Sequence, residues 1–213
     1  MIFIEKTEVD GWEAAIRGMR NPMNSWDKSD SLFWQGHMQI GKADLDLMKR
    51  LVASGTDHSK FMRFIIVTAD ITAPLYWYKE YETYKVGTVS NSCSTMHKIQ
   101  AKEFTIDDFS HEHLLSDEPI PTRFYSAEGM MEATVENLNM FRKLYLETKD
   151  KCYWWQMIQL LPSCYNQKRT VLLNYAVLRN MYHARKNHKL DEWHQFCAWI
   201  ETLPFSELIT MEV

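Results

Sequence analysis

A stretch of small polar side chains, residues 88–95, has a composition suited to ligand binding. It reads Thr-Val-Ser-Asn-Ser-Cys-Ser-Thr and offers hydroxyl, amide and thiol groups, with Val89 as its one larger apolar member. Such groups donate and accept hydrogen bonds and favour turns and loops. A loop of this kind suits an anionic or heterocyclic ligand. The same composition is common in connections that bind nothing, and from the residues alone both alternatives stay open.

Two apolar elements precede this polar stretch and would position it. Residues 64–68, which begin an apolar run that extends to Ile71, are rich in β-branched and aromatic side chains and too short for a lone helix, so they predict a buried strand. Pro74 favours the first turn of a helix because its φ is already helical and its missing N–H is not needed there. We expect Thr72 to cap this helix, which carries aromatic residues as far as Tyr84.

The spacing of cysteines and histidines predicts neither a metal site nor a disulfide framework. The four cysteines are widely separated and form no Cys-x-x-Cys pair. Cys93 lies in the polar stretch and could act as a nucleophile. No His or acidic partner is evident for it, and a thiol that packs as a small apolar side chain is the alternative. His183 and His188 are five positions apart, and residues that share a helix face are three or four apart.

Composition predicts a globular protein of the reducing cytoplasm. The chain has 213 residues, 46% of them hydrophobic, and a net charge of −4, which disfavours a nucleic-acid polymer as partner. No signal peptide is evident, and no apolar run approaches the roughly 20 residues that cross a bilayer, so no membrane partner is predicted. The seven glycines form neither a dinucleotide-binding nor a P-loop pattern.

The remaining elements before residue 126 mix strand, helix and connection. They are an edge strand at 2–4, a helix at 11–19 capped by Asp10, a loop or lid at 21–36, a helix at 44–54 with Gly55 at its C′ position, and a polar connection at 107–121. Helical spacing predicts that the first helix buries Trp12, Ala15, Ile16 and Met19. The second helix is expected to bury Leu47 and Leu51, with Met48 as a further candidate.

After residue 126 every predicted element is a helix. The four helices begin at Ser126, run over 151–161 with Asp150 as cap, run over 167–186, and begin at Asp191 to end before Pro204. Leu173, Val177, Met181 and Ala184 define the inner face of the third. Without repeats or a clear linker, the sequence predicts one α+β domain over residues 1–213.

Two blocks of the sequence, within residues 44–195, together resemble the flavin-dependent thymidylate synthases (ThyX type). The first has Leu-x-x-Leu-x-x-x-Gly, then His58 in a His-Ser-x-Phe motif, a strand, Ala-Pro, and an aromatic helix that leads into the polar stretch. The second begins with Leu161-Pro162 and continues with Asn174, Leu178, Asn180 and Arg185 in the spacing of that family. The branch to which the sequence is most similar is a divergent one often carried by bacteriophages.

The resemblance implies a fold, a reaction and an assembly. The fold would be the thymidylate synthase-complementing (ThyX-like) fold, an antiparallel sheet packed with a helical C-terminal half. The reaction would be reductive methylation of dUMP, or of a related uracil nucleotide, in which methylenetetrahydrofolate supplies the carbon and FAD reduced by NADPH supplies the hydride. No protein cysteine attacks the uracil in this family, and the enzyme assembles as a homotetramer.

The resemblance also assigns binding roles to individual residues, but no catalytic residue and no metal ligand. The residues that would bind the cofactor are His58, Lys85, Thr88, Asn91, Asn174 and Asn180. The residues that would bind the nucleotide substrate are Glu80, Cys93, Ser94 and Arg185. The alternative for Arg185 is that it is an ordinary charged residue on the surface of a helix. The alternative for one of the two asparagines is that it faces solvent and binds nothing.

The sequence departs from the family's signature, Arg-His-Arg-x-x-Ser-x-Asn-Glu-x-Ser-x-Arg, over residues 83–95. Without a gap, only the charge at Lys85 and the hydroxyl at Thr88 remain. A shift by one restores Asn91 and Ser94, but no register restores the Glu or the last Arg. The helix that precedes the signature carries Glu80 in place of the family's Gln, and a carboxylate there would repel phosphate.

A further nucleotide-binding arginine of the family falls on Ile158. Since Arg–phosphate pairs are bidentate and charge-assisted, the loss of two of three should cost several kcal/mol of binding. Lys168 and Arg169 are near enough in sequence to compensate. Two alternatives to an enzyme therefore stay open: a catalytically silent module that binds a nucleotide or a protein, and a purely structural oligomer.

Overall fold

The computed structural model describes residues 1–116 and 126–212. Most of the predicted polar connection at 107–121 is described, but Pro119 and Pro121 lie outside these residues.

The described residues form six strands and nine α-helices. The strands are β1 (Phe3–Asp10), β2 (Leu32–Trp34), β3 (His37–Gln39), β4 (Ile66–Pro74), β5 (Val89–Ser92) and β6 (Asn166–Asn174). The helices are α1 (Trp12–Arg20), α2 (Lys42–Ala53), α3 (Leu75–Tyr81), α4 (Thr95–Lys98), α5 (Ala127–Thr148), α6 (Lys151–Leu160), α7 (Tyr175–Arg185), α8 (Asp191–Glu201) and α9 (Glu207–Thr210).

The main sheet is antiparallel and has the strand order β1-β4-β6-β5. A separate hairpin pairs β2 with β3, with Phe33 opposite Met38. The α+β class and the antiparallel sheet with a helical C-terminal half are confirmed. The predicted edge strand at the N-terminus is also confirmed, and it extends to Asp10.

The helix predicted over 167–186 is wrong in its first half, which is strand β6. Along β6 the burial alternates: Val171 and Leu173 are buried, while Thr170 is exposed. This period of two is the pattern of a strand, and β6 pairs with a neighbour on each side. Backbone pairing with distant strands overrode the helical spacing of the apolar residues.

The predicted polar loop is wrong in its middle, where Val89–Ser92 form β5 at the edge of the sheet. All four side chains of β5 are exposed. An exposed edge strand needs no alternation of apolar and polar residues, so the sequence of residues 89–92 gives no sign that they form a strand.

Contacts divide the chain into two compact units. Unit 1 comprises residues 1–3, 72–81 and the described part of 91–169, and unit 2 comprises residues 4–71, 82–90 and 170 onward. The single domain over residues 1–213 stays a prediction.

Unit 1 has a core beneath the helical pair α5 and α6. Its fully buried members are Ile99, Phe104, Phe109, Leu138 and Met157. The cap predicted at Thr72 is wrong, because Thr72 lies within β4 and α3 begins at Leu75. The caps predicted for α5 and α6 are confirmed. Ser126 Oγ accepts a hydrogen bond from the Gly129 N–H, and Asp150 Oδ1 accepts one from the Cys152 N–H at 2.9 Å.

In unit 2 helix α1 buries Trp12, Ala15, Ile16 and Met19, the predicted face. The predicted cap at Asp10 is wrong, because the N-cap is Gly11 with φ at 90°. A Cβ at this glycine would lie 1.9 Å from the Phe64 carbonyl oxygen, so the close backbone approach requires glycine.

Helix α2 begins at Lys42 and has Gly55 at the predicted C′ position with φ at 98°. Its buried stripe is Asp44, Met48 and Val52, which includes the further candidate Met48 but lies one position beyond the predicted Leu47 and Leu51, which are half-buried. The shift places a carboxylate in the interior of unit 2.

That carboxylate, Asp44, is fully buried and accepts several hydrogen bonds. Its Oδ1 accepts from Arg20 Nε at 2.7 Å. Its Oδ2 accepts from the hydroxyls of Ser29 and Ser31 at 2.8 and 2.7 Å, and from the backbone N–H of Asp30 at 3.1 Å. This network fastens part of the predicted loop or lid to α2.

Asp44 should make stability depend on pH. Burial alone would raise the pKa of Asp44, but hydrogen bonds from two serines and from Arg20 outweigh it and hold the pKa below its ordinary 3.8. The stabilisation is present in full above pH 3.8 and is lost as pH falls through the lower folded-state pKa. Urea unfolding on both sides of pH 3.8 measures this loss. We expect Asp44→Asn to lose less on acidification, and an equal loss would contradict the assignment.

Candidate functional site

Unit 2 contains a cavity of about 280 Å³ that brings together Asn174 and Asn180. The residues that line it are Arg63, Val86, Gly87, Asn174, Ala176, Val177 and Asn180. Sequence reasoning named the two asparagines and missed Arg63 and Gly87, which no motif distinguishes from ordinary turn residues.

The position of Asn174 explains why residue 87 is a glycine. Asn174 ends β6 and is the N-cap of α7, where its Oδ1 accepts a hydrogen bond from the Val177 N–H at 3.0 Å. Gly87 has φ at 78°, and a Cβ there would lie 2.5 Å from Asn174 Nδ2. The amide is thus held in a place that only glycine leaves open, while Asn180 lines the cavity from the exposed side of α7.

The other cofactor candidates of unit 2 lie elsewhere. His58 is exposed in the turn after α2, where its backbone N–H donates to the Gly55 carbonyl at 3.2 Å. Lys85 is exposed, and the Thr88 hydroxyl donates to the Tyr84 carbonyl at 2.6 Å. None of these candidates lines the cavity with the asparagines. Their flavin roles stay predictions.

Arg185, at the end of α7, is half-buried and stacked. Its Nε donates to the Tyr84 hydroxyl at 2.9 Å, and its guanidinium carbon lies 4.8 Å from the centroid of the Trp193 ring and 5.5 Å from that of Tyr84. Stacking on aromatic rings fixes the plane of a guanidinium. Arg185 is thus held by two aromatic rings of its own unit, and its role in nucleotide binding stays a prediction.

Unit 1 contains a second cavity, of about 350 Å³, which Cys93 and Ser94 line. The full lining is Thr72, Cys93, Ser94, Thr95, Lys98, Ile99, Lys102, Phe104, Asp107, Asp108, Tyr165, Asn166, Gln167 and Lys168. Glu80, half-buried on α3, and Asn91, exposed on β5, belong to the same unit but do not line it. Sequence reasoning missed Lys98 and Lys102, which follow the polar stretch outside any motif.

Hydrogen bonds hold Cys93 beside β6. Its N–H donates to the Lys168 carbonyl at 2.9 Å, and its own carbonyl accepts from Gln167 Nε2 at 2.7 Å. Gln167 Oε1 accepts from Arg169 Nε at 3.0 Å, and the Arg169 guanidinium carbon lies 3.8 Å from the centroid of the Tyr78 ring. A stacked cation is therefore linked through one glutamine to the polar stretch.

Two ionisable groups of this cavity, Lys102 and Tyr165, both interact with Asp108. Lys102 forms an ion pair with Asp108. Burial raises the pKa of Tyr165, with the charges of Asp108 and Cys93 adding to the rise, so the phenol stays a neutral hydrogen-bond donor. Within residues 1–116 and 126–212, no three His, Cys, Asp or Glu side chains cluster closely enough to hold a metal ion.

Comparison with known proteins gives matches only at the level of structure. No protein-family model and no curated protein matches the sequence. The flavin-dependent thymidylate synthase ThyX of Helicobacter pylori, in a structure with FAD and dUMP, superposes with a TM-score of 0.66 at 17% identity, over 99% of this chain and 97% of that one. The chain has the fold of the flavin-dependent thymidylate synthases.

A second solved structure with the ThyX fold is also similar. It is the UMP/dUMP methylase PolB of Streptomyces cacaoi bound with 5-Br dUMP, with a TM-score of 0.62 and 14% identity over 99% of this chain and 95% of that one. The ThyX-like architecture predicted from the two sequence blocks is thereby confirmed. At 17% and 14% identity most side chains of the chain differ from those of the two solved structures. None of the described helices is both long and apolar enough to span a membrane.

Proposed function

We propose that the protein is a diverged flavin-dependent thymidylate synthase that methylates dUMP or a related uracil nucleotide. One observation carries the proposal. Asn174 and Asn180, the asparagines that the sequence resemblance assigns to the cofactor, line one cavity in a chain with the ThyX fold. The proposal places part of FAD in this cavity and keeps Arg185, Cys93, Ser94 and Glu80 as the predicted nucleotide-binding residues.

The residues of the unit 2 cavity fit a flavin cofactor. Primary amides both donate and accept hydrogen bonds, as the polar edge of a flavin ring requires. Gly87 leaves space beside Asn174 that any Cβ would fill, and Arg63 offers a positive charge for a pyrophosphate. A cavity of about 280 Å³ is below the usual range for a whole drug-sized ligand, so it would take only part of FAD.

The chain's own residues would bind and orient the reactants. FAD reduced by NADPH supplies hydride, and methylenetetrahydrofolate supplies the one-carbon unit. Arg185, held against Tyr84 and Trp193, would pair with an anionic or carbonyl oxygen of the nucleotide. Such positioning, rather than attack by a protein nucleophile, is the protein's part in this chemistry.

Assembly as a homotetramer is part of the proposal. The helical pair of unit 1 exposes large apolar side chains, as subunit interfaces require. They are Met130, Met140, Leu146, Trp155 and Leu160. A cytoplasmic location and a bacteriophage origin belong to the same proposal and rest on the sequence alone.

A catalytically silent nucleotide-binding or protein-binding module is the second candidate. It is favoured by Thr88, whose hydroxyl bonds to the chain's own Tyr84 carbonyl, and by Thr95 and Ile158 at positions of family arginines. Incubation with dUMP, methylenetetrahydrofolate, NADPH and FAD separates the two. The enzyme forms dTMP, and the module shows nucleotide-dependent thermal stabilisation without turnover.

Asn180→Ala should weaken FAD binding by about tenfold, the usual effect of one lost hydrogen bond in a binding site. Because Asn180 is exposed on a helix and alanine is a good helix former, the melting temperature should hardly change. Fluorescence titration with FAD measures the affinity. Asn137→Ala, the same substitution on the exposed side of α5, is the control. Equal FAD affinities in the two variants would remove Asn180 from the site.

A further inference from the structure

A further cavity of unit 2, of about 300 Å³, is lined by α1 and by the segment that precedes α2. It shares no lining residue with the cavity proposed for the flavin. Its lining residues are Glu13, Ile16, Arg17, Arg20, Trp26, Ser29, Ser31 and Phe33. The volume is at the lower end of the range for small-molecule sites, so the cavity suits a ligand of about the size of one amino acid.

A buried arginine forms one wall of this cavity. Arg20 is only 4% exposed, and its Nε donates to Asp44 Oδ1 at 2.7 Å while its Nη1 donates to the Ser25 carbonyl at 3.1 Å. The hydroxyls of Ser29 and Ser31 donate to the same carboxylate, which fixes this wall before any ligand binds. Arg20 Nη2 forms no hydrogen bond within the described part of the chain, so its hydrogens are left for a ligand acceptor.

The remaining charged groups of the lining are one of each sign. Asp44 neutralises Arg20, which leaves Glu13 and Arg17. These two are four positions apart on α1, a spacing at which side chains can pair, but neither forms an ion pair among the residues that the structure describes. Asp10 lines an adjoining cavity that shares Glu13, and it adds a second carboxylate on that side. A ligand with one ammonium and one carboxylate matches this distribution of charge.

The rest of the lining is apolar. Trp26 is 51% exposed, and its indole N–H donates to Asn21 Oδ1 at 2.8 Å, which restrains the ring. Ile16 and Phe33 add further apolar surface. An exposed tryptophan that is held in one orientation offers a large apolar face to a ligand at little cost in conformational entropy.

We propose that this cavity binds a single α-amino acid with a large apolar side chain, in its zwitterionic form. Arg17 and Arg20 donate to the carboxylate, Glu13 accepts from the ammonium, and Trp26 and Phe33 pack against the side chain. A simple organic acid leaves the charge of Glu13 unpaired, and a simple amine leaves that of Arg17 unpaired. The site is separate from the flavin cavity, so the inference does not depend on the proposed function.

Calorimetric titration of the full chain with L-phenylalanine, L-phenylalaninamide and 3-phenylpropionate tests the site. L-Phenylalanine should bind at least about tenfold more tightly than the amide, which lacks the carboxylate, and than the propionate, which lacks the ammonium. Arg17→Met and Glu13→Gln should each weaken binding of L-phenylalanine by about tenfold, the effect of one lost charge-assisted hydrogen bond. Arg50→Met and Glu132→Gln, at exposed positions outside the cavity, should leave it unchanged.

The outcomes separate this inference from the proposed function. Arg17→Met and Glu13→Gln should both keep the FAD affinity of the parent protein, since neither residue lines the flavin cavity. Equal binding of L-phenylalanine and 3-phenylpropionate, unaffected by Glu13→Gln, overturns the amino acid in favour of an organic acid. If L-phenylalanine, L-leucine and L-tryptophan all fail to bind, the site is overturned and the proposed function is untouched. Binding of L-phenylalanine that depends on both residues, in a protein that retains no FAD, supports this inference and overturns only the proposed function.

Discussion

Asp44→Ala should reduce the free energy of unfolding by about 3–5 kcal/mol, the usual effect of removing one partner from a buried ion pair. The substitution leaves the Arg20 guanidinium, only 4% exposed, without its carboxylate. It also removes the acceptor of the Ser29 and Ser31 hydroxyls, which weakens the attachment of this segment to α2. The hydrogen bonds from the Ala43 and Asp44 N–H groups to the Asp30 carboxylate remain. Urea unfolding followed by circular dichroism measures the change.

Asp46→Ala is the matched control for this prediction. Asp46 is an exposed aspartate two positions along the same helix, and its substitution should change the free energy of unfolding by no more than about 0.5 kcal/mol. Similar effects of the two substitutions would mean that the Asp44 network does not stabilise unit 2.

Gly87→Ala should weaken FAD binding by more than the tenfold expected of Asn180→Ala. A Cβ at residue 87 would lie 2.5 Å from Asn174 Nδ2, so the amide has to leave the position it holds beside the cavity. The positive φ of 78° adds a stability cost of about 1–2 kcal/mol, because a side chain is strained in this conformation. Fluorescence titration with FAD and thermal unfolding measure the two effects separately.

Gly36→Ala provides the control for the Gly87 substitution. Gly36 has nearly the same φ, 81°, but a Cβ there meets nothing within 4 Å. Both variants should lose similar stability, and only Gly87→Ala should lose FAD affinity. If the two variants bind FAD equally well, displacement of Asn174 has no bearing on the cofactor.

Local signals predicted much of the fold. The caps at Ser126 and Asp150 and the buried face of α1 follow from neighbours a few positions apart, and the structure has all of them. Strand β6 could not be predicted in this way. Leu173, Val177 and Met181 fit a helical period, and only pairing with β4 and β5, which are far away in the sequence, makes a strand of residues 166–174.

The candidate site shows the same limit. The spacing of Asn174 and Asn180 was visible in the sequence, and one cavity contains both. Lys98 belongs to no motif and gains its relevance only because the chain folds it beside residues 166–168. Gly87 is a plain turn residue in the sequence, and its contact with Asn174 depends on the approach of two segments that are far apart along the chain.

The absorbance spectrum of the purified protein between roughly 350 and 500 nm, recorded before and after addition of FAD, tests the central proposal most directly. We expect flavin bands that stay with the protein through gel filtration and are lost in Gly87→Ala. A colourless protein that retains no added FAD would contradict the proposal.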